Sequence, residues 1–299
     1  MNPALSSRKA TALFVVVVLA WGINWSVTKQ LVEAIPPLWT SAIRSWIALM
    51  GLLVVLQLSG NLIVPKPGDI PVVLSVALLH MTLFSVLVAA GLRFLPASKG
   101  IVLGYTTPLW VALATPMVWK ERLSGPNVAG VVLGVLGLGV ILNPASLDWG
   151  DHNVMIGAGM VILAAICWAV NIIYIRLHRW IASPLQLLVW QLLVASVVLS
   201  AMAIIMEGWP HVRWSPHLAV LLLYSGFIGT GLAYWAMSMV NRSLPALTTS
   251  LGLTATPVVG IVAAAVILGE PVNTTLAVAA ALIVGGIALT TLVDRAARA

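Results

Sequence analysis

The sequence predicts an all-α membrane protein whose ten transmembrane helices form two inverted five-helix repeats around a central cavity. Three observations predict it: an apolar composition, ten apolar runs of spanning length, and one motif stated twice. Of 299 residues, 61% are hydrophobic and 8% charged, with a mean hydropathy of +1.08. A water-soluble surface needs more charge than that. The repeated motif is LPASKGIVLGYTTP at 95–108 and LPALTTSLGLTATP at 244–257. A constant offset of 149 carries Leu95, Pro96, Ala97, Thr107 and Pro108 onto Leu244, Pro245, Ala246, Thr256 and Pro257, and likewise Arg93 onto Arg242 and Glu121 onto Glu270.

A hydrocarbon layer of roughly 30 Å takes about 20 apolar helical residues. By that measure spans fall near 10–31, 38–58, 70–92, 97–118, 125–143, 154–176, 184–206, 216–239, 246–268 and 273–293. The first begins after Ser7-Arg8-Lys9, as a signal peptide would. Trp21-Gly22-Ile23-Asn24-Trp25 then stands where a small-residue cleavage site belongs, so the helix is expected to be retained. Pro36-Pro37 separates spans one and two, Pro65-Lys66-Pro67-Gly68 two and three, and Leu123-Ser124-Gly125-Pro126 four and five. Asn143-Pro144 ends the first half, and Gly208-Trp209-Pro210 separates spans seven and eight. Continuous apolar runs, without alternation, exclude a transmembrane β-barrel.

The basic residues set the orientation. With a cytoplasmic N-terminus, the inner ends carry Arg8, Lys9, Lys66, Lys120, Arg122, Arg176, Arg179, Arg242, Arg295 and Arg298, against Lys29, Arg93, Lys99 and Arg213 outside. That asymmetry places both termini in the cytoplasm. An odd number of helices per repeat then makes residues 1–145 and 146–299 copies of opposite sense. Inverted halves can exchange conformations and so open a cavity alternately to either side. Pro108 and Pro257 fall near the middles of the fourth and ninth helices, where proline loosens the backbone, and are expected to mark helix breaks or gates beside a transport site.

The chain resembles the drug/metabolite transporter superfamily, and within it the ten-helix exporters built from two EamA-type repeats. The resemblance rests on Trp21-Gly22-Ile23-Asn24 in helix one, answered by Trp168-Ala169-Val170-Asn171 in helix six, and on Pro37 followed by Arg44. The two Leu-Pro-Ala segments, Glu121 and Glu270, and the following glycines Gly130, Gly134, Gly137 and Gly139 complete it. Gln191 stands where helix seven would match Arg44, a departure that speaks against a symmetric role for that arginine. The resemblance implies an exporter in the bacterial inner membrane, and proteins this similar include exporters of aromatic and other neutral amino acids.

Candidate site residues are the polar and amphipathic groups near mid-depth: Trp21 and Asn24, His80 and Thr82, Tyr105, Trp168 and Asn171, Tyr224 and Tyr234. At that depth such groups turn toward neighbouring helices or a wet cavity. His80 stands away from every span end and can donate to or accept from a substrate. Arg44, roughly 10 Å along helix two at 1.5 Å per residue, can snorkel outward, meet a substrate carboxylate or brace a carbonyl. Glu121 and Glu270, just after their helices, are expected to cap or pair locally. Ala281 and Gly285 with the helix-five glycines read as a small-residue packing face.

Other functions find less support. No G-x-x-x-x-G-K-[ST] segment exists, so transport is expected without ATP hydrolysis. No H-E-x-x-H occurs, and Cys167 is alone, so no enzyme, metal or cofactor is implied. Basic residues lie singly or in pairs at span ends, which speaks for the lipid bilayer as partner and against nucleic acid. Because all eight acidic residues lie at span ends or in loops, uniport is favoured over proton coupling. A monomer suffices for transport. The rival reading is a broad-specificity drug or metabolite exporter with proton antiport.

Overall fold

The computed structural model describes residues 5–119, 125–143, 148, 150–244, 249 and 252–296, and among them there is helix and no strand. Among the described residues seven helices are long and apolar enough to cross a membrane: α1 (Ser7–Ala34), α2 (Pro37–Leu58), α3 (Pro67–Gly91), α4 (Ala97–Val118), α6 (His152–Leu177), α7 (Pro184–Met206) and α8 (Pro216–Asn241). Among the described residues follow two shorter apolar helices, α5 (Gly125–Ile141) and α9 (Ala255–Leu268), and α10 (Thr274–Ala296), whose apolar part is Thr274–Leu289. Large apolar side chains such as Met50, Leu136, Ile205 and Val266 stand exposed on the outside. In water such a surface would aggregate; against acyl chains it is stable.

Prolines set several helix starts. Proline occupies the first positions of α2, α7 and the Pro216 start of α8, where its missing N–H costs nothing. The remaining N–H groups at helix starts need acceptors, and carboxylates far away in sequence supply them. Glu207 accepts from Leu38 N (3.1 Å) and Trp39 N (3.2 Å) at the start of α2. Asp69, fully buried, accepts from Ile181 N (3.1 Å) and Ala182 N (2.8 Å) before α7 and lies 3.1 Å from the His178 ring. Glu270 accepts from Ala97 N (2.6 Å), from Ser98 N (2.9 Å) and from the Ser98 hydroxyl at the start of α4. The local cap expected of Glu270 is therefore corrected: its partners lie 172 and 173 residues away. Glu121, Pro245 and Ala246 lie outside the described residues.

Glycine permits close helix crossings. A side chain on Gly22 of α1 would meet Val259 at 2.5 Å, and one on Gly260 of α9 would strike Ile101. Among the described residues the α5–α10 contact is the most extensive helix pair. A side chain on Gly286 there would meet the Gly130 carbonyl, and one on Gly137 would come within 2.9 Å of the Ala279 carbonyl. The expected stripe on α10 needs correction, because nothing lies near Gly285 and Ala281 is exposed. Ala279, Ile283 and Gly286 form the packing face instead.

Candidate substrate cavity

Two of the helices are irregular at corresponding places. In α3 a π-helical segment runs over Val76–Phe84, and in α8 another runs over Tyr224–Leu232. The wider turn lets threonine reach back five residues: Thr82 donates to the Ala77 carbonyl and Thr230 to the Ser225 carbonyl, each at 2.8 Å. Such bulges collect at functional sites. α4 is interrupted as well, with helix over Ala97–Gly104 and again from Thr107, and Tyr105 in the gap. Pro108 therefore sits at the second position of a new helix, while Pro257 is buried at the third position of α9. Neither lines the cavity, and Pro116 lies inside the second part of α4.

These irregular segments border one cavity. Its wall takes Trp21, Asn24, Trp25 and Thr28 from α1, Arg44 and Ser45 from α2, and His80, Met81, Phe84, Ser85 and Val88 from α3. Tyr105 of α4, Trp168 of α6, Leu192 of α7 and Gly229, Thr230 and Tyr234 of α8 close it. The aromatic groups touch one another. His80 lies parallel to Trp168, with ring centroids 5.1 Å apart and an interplanar angle of 3°. Phe84 and Tyr105 approach the same indole at 5.2 and 6.5 Å, the latter edge-on. Tyr234 stands edge-on to Trp21 at 5.9 Å and to His80 at 5.8 Å, its hydroxyl 3.4 Å from His80 Nε2. Flat rings offering both faces and edges suit a planar or apolar solute.

The polar part of the wall is less satisfied. Arg44 Nη2 donates to the Ser85 hydroxyl at 2.8 Å, while its Nε is sealed from solvent without a partner. Asn24 Oδ1 is likewise sealed and unpartnered, and a side chain on Gly229 would come within 2.7 Å of it. Buried polar atoms normally find partners.

Trp21, Asn24, His80, Tyr105, Trp168, Tyr234 and Arg44 thus share one cavity, whereas three expected residues do not line it. Thr82 is spent on the π segment's own carbonyl. Asn171 is buried, its Oδ1 accepting from Ser75 at 3.1 Å, so the match between Asn24 and Asn171 is one of position only. Tyr224 turns to the Ala20 carbonyl at 3.2 Å. Phe84, four residues after His80, and Thr28, four after Asn24, were reachable by counting one helical turn from residues already singled out. Ser45, Met81, Leu192 and Gly229 carry no such signal.

A model of the EamA-like transporter family matches residues 8–143 and again 155–292. The chain belongs to the EamA-like transporter family. It is accordingly a multi-pass membrane protein whose family name indicates a transporter rather than an enzyme. EamA-like relatives extend over nearly the whole chain. A probable amino-acid metabolite efflux pump of Salmonella typhimurium is 28% identical over 294 residues, 94% of each chain. The uncharacterized transporter YoaV of Bacillus subtilis is 25% identical over 275 residues, covering 92% of this chain and 94% of its own. A chain of known crystal structure shares the fold, with a TM-score of 0.68 at 21% identity over 98% of this chain and 100% of its own.

Proposed function

We propose that the protein exports neutral amino acids, aromatic ones foremost, across the bacterial inner membrane by alternating access without ATP hydrolysis. In this reading ten helices cross the bilayer, both termini are cytoplasmic, and residues 1–145 and 146–299 are inverted repeats. The observation that carries it is the cavity ringed by Trp21, Phe84, Tyr105, Trp168 and Tyr234, built where α3, α4 and α8 depart from regular helix. An irregular backbone at membrane depth is tolerated where it is buried in protein or lines a cavity, and it is where transporters bind solutes. The relative named as a probable amino-acid metabolite efflux pump supports the substrate class.

Solute enters from one side, stacks on Trp168 and Trp21, and leaves from the other after the halves rock. The carboxylates of Glu207 and Glu270 clasp two helix starts, and Asp69 clasps a third. On this topology Glu207 and Glu270 lie at the outer end and Asp69 at the inner end. Opening one end parts the clasps there while the clasp opposite holds. His80 orients the solute from its place between Trp168 and Tyr234.

Counterflow in reconstituted vesicles tests the proposal. Vesicles preloaded with unlabelled phenylalanine, leucine or threonine are expected to accumulate the labelled amino acid transiently without ATP. Accumulation of cationic drugs, with no amino acid exchanged, would replace the proposal by the broad-specificity exporter.

A further inference from the structure

We propose that Arg44 is the carboxylate receptor of this cavity, so that the site selects solutes by a free carboxylate and turns away cations of the same shape. The inference rests on the amino-acid reading above and names the group that reading leaves unassigned.

Arginine brings five N–H donors and a permanent charge. Arg44 spends Nη2 on Ser85, a neutral partner, and leaves Nε buried with none. The ion pairs among the described residues are Lys29 with Glu33 and His178 with Asp69, and no acidic side chain lines the cavity. A guanidinium at membrane depth without a counter-charge is costly. Here the cost falls when a solute brings an anion, and a planar carboxylate matches the guanidinium fork.

Two features of the same wall narrow the solute further. The rings around Trp168 receive an apolar side chain. A dianionic phosphate needs more than one cation, and Arg44 is the one permanent cation among the lining residues. Bracing a helix carbonyl, the structural use of such an arginine, is not what Nη2 does, since its partner is a hydroxyl.

The test is counterflow on the intact protein with matched solutes: phenylalanine, phenethylamine and 3-phenylpropionate, then leucine, isopentylamine and 4-methylpentanoate. The amino acids are expected to exchange at least about tenfold better than the amines, the loss of one charge-assisted contact. The deaminated acids are expected to compete for the site. Arg44→Gln abolishes the preference over the amines, and Arg44→Lys keeps part of it. Thermal stabilisation of the detergent-solubilised protein by 3-phenylpropionate, present in the wild type and absent in Arg44→Gln, gives a second readout independent of transport. Amines exchanged as well as amino acids by the wild type would overturn the role of Arg44 and leave the amino-acid reading standing. Exchange of the deaminated acids alone would sustain Arg44 and remove the amino-acid reading. If neither exchange nor thermal stability responds to a carboxylate, the inference falls.

Discussion

At the scale of single residues, His80 is the hinge of the aromatic wall. It stacks on Trp168, approaches Phe84 at 5.5 Å and meets the Tyr234 hydroxyl. His80→Ala removes a ring from each of these contacts without touching a helix cap. Transport of phenylalanine at sub-saturating concentration is expected to fall by about tenfold or more, the worth of one lost aromatic contact, while membrane insertion stays normal. An unchanged rate would take His80 out of the site. Residue identity was readable here because a histidine, arginine or indole pair at membrane depth stands out against aliphatic neighbours. Direction was not readable. Asn24 and Asn171 occupy matching places after matching tryptophans, yet one faces the cavity and the other Ser75.

At the scale of elements, helix ends followed the prolines, and their carboxylate caps did not. Asp69 is fully buried and holds two backbone N–H groups ahead of α7. Replacing it with alanine strands those donors, and the expected cost is about 3 kcal/mol, read as a lower melting temperature in detergent with secondary structure retained at low temperature. Glu270→Gln keeps acceptor capacity on one oxygen, so its loss is expected to be smaller than that of Glu270→Ala. Equal melting temperatures for those two variants would contradict the bonds at Ala97 and Ser98. Close crossings are stricter still. Gly286→Leu drives a side chain into the Gly130 backbone, so the α5–α10 pair must separate, and the variant is expected to fail to accumulate in the membrane. The π segments are the elements least foreseen. Their sequences, VALLHMTLF and YSGFIGTGL, satisfy ordinary helical spacing, and the extra residue per bulge is stabilised by neighbours and not by local preference.

At the scale of the whole molecule, the proposed inversion of the two halves puts the connector at 148–153 and the chain's beginning on opposite sides of the bilayer. Single cysteines placed at Asp151 and at Ser7, in a Cys167→Ser background, are expected to react with an impermeant thiol reagent from opposite faces. Reaction from one face would remove alternating access by repeat exchange. Coupling is tested at the same scale: a pH gradient imposed on reconstituted vesicles is expected to leave amino-acid exchange unchanged, since no acidic side chain among the described residues lines the cavity. A strict requirement for the gradient would replace the expected uniport by proton-coupled transport.

By itself the sequence determined that this chain is helical, apolar enough for lipid and punctuated by proline, because composition and chain-breaking residues act locally. It also pointed to seven of the residues that share the cavity, Arg44 and His80 among them, because polar groups at depth are rare. Only the tertiary structure decided which of them face one another, that Glu207, Asp69 and Glu270 cap helices far along the chain, and that α10 packs through Ala279 and Gly286. The physical reason is that a helix in lipid is apolar on all sides, so periodicity does not tell its buried face from its outer one. Helix rotation is set by small-residue crossings and distant caps, and these exist only once the helices have met.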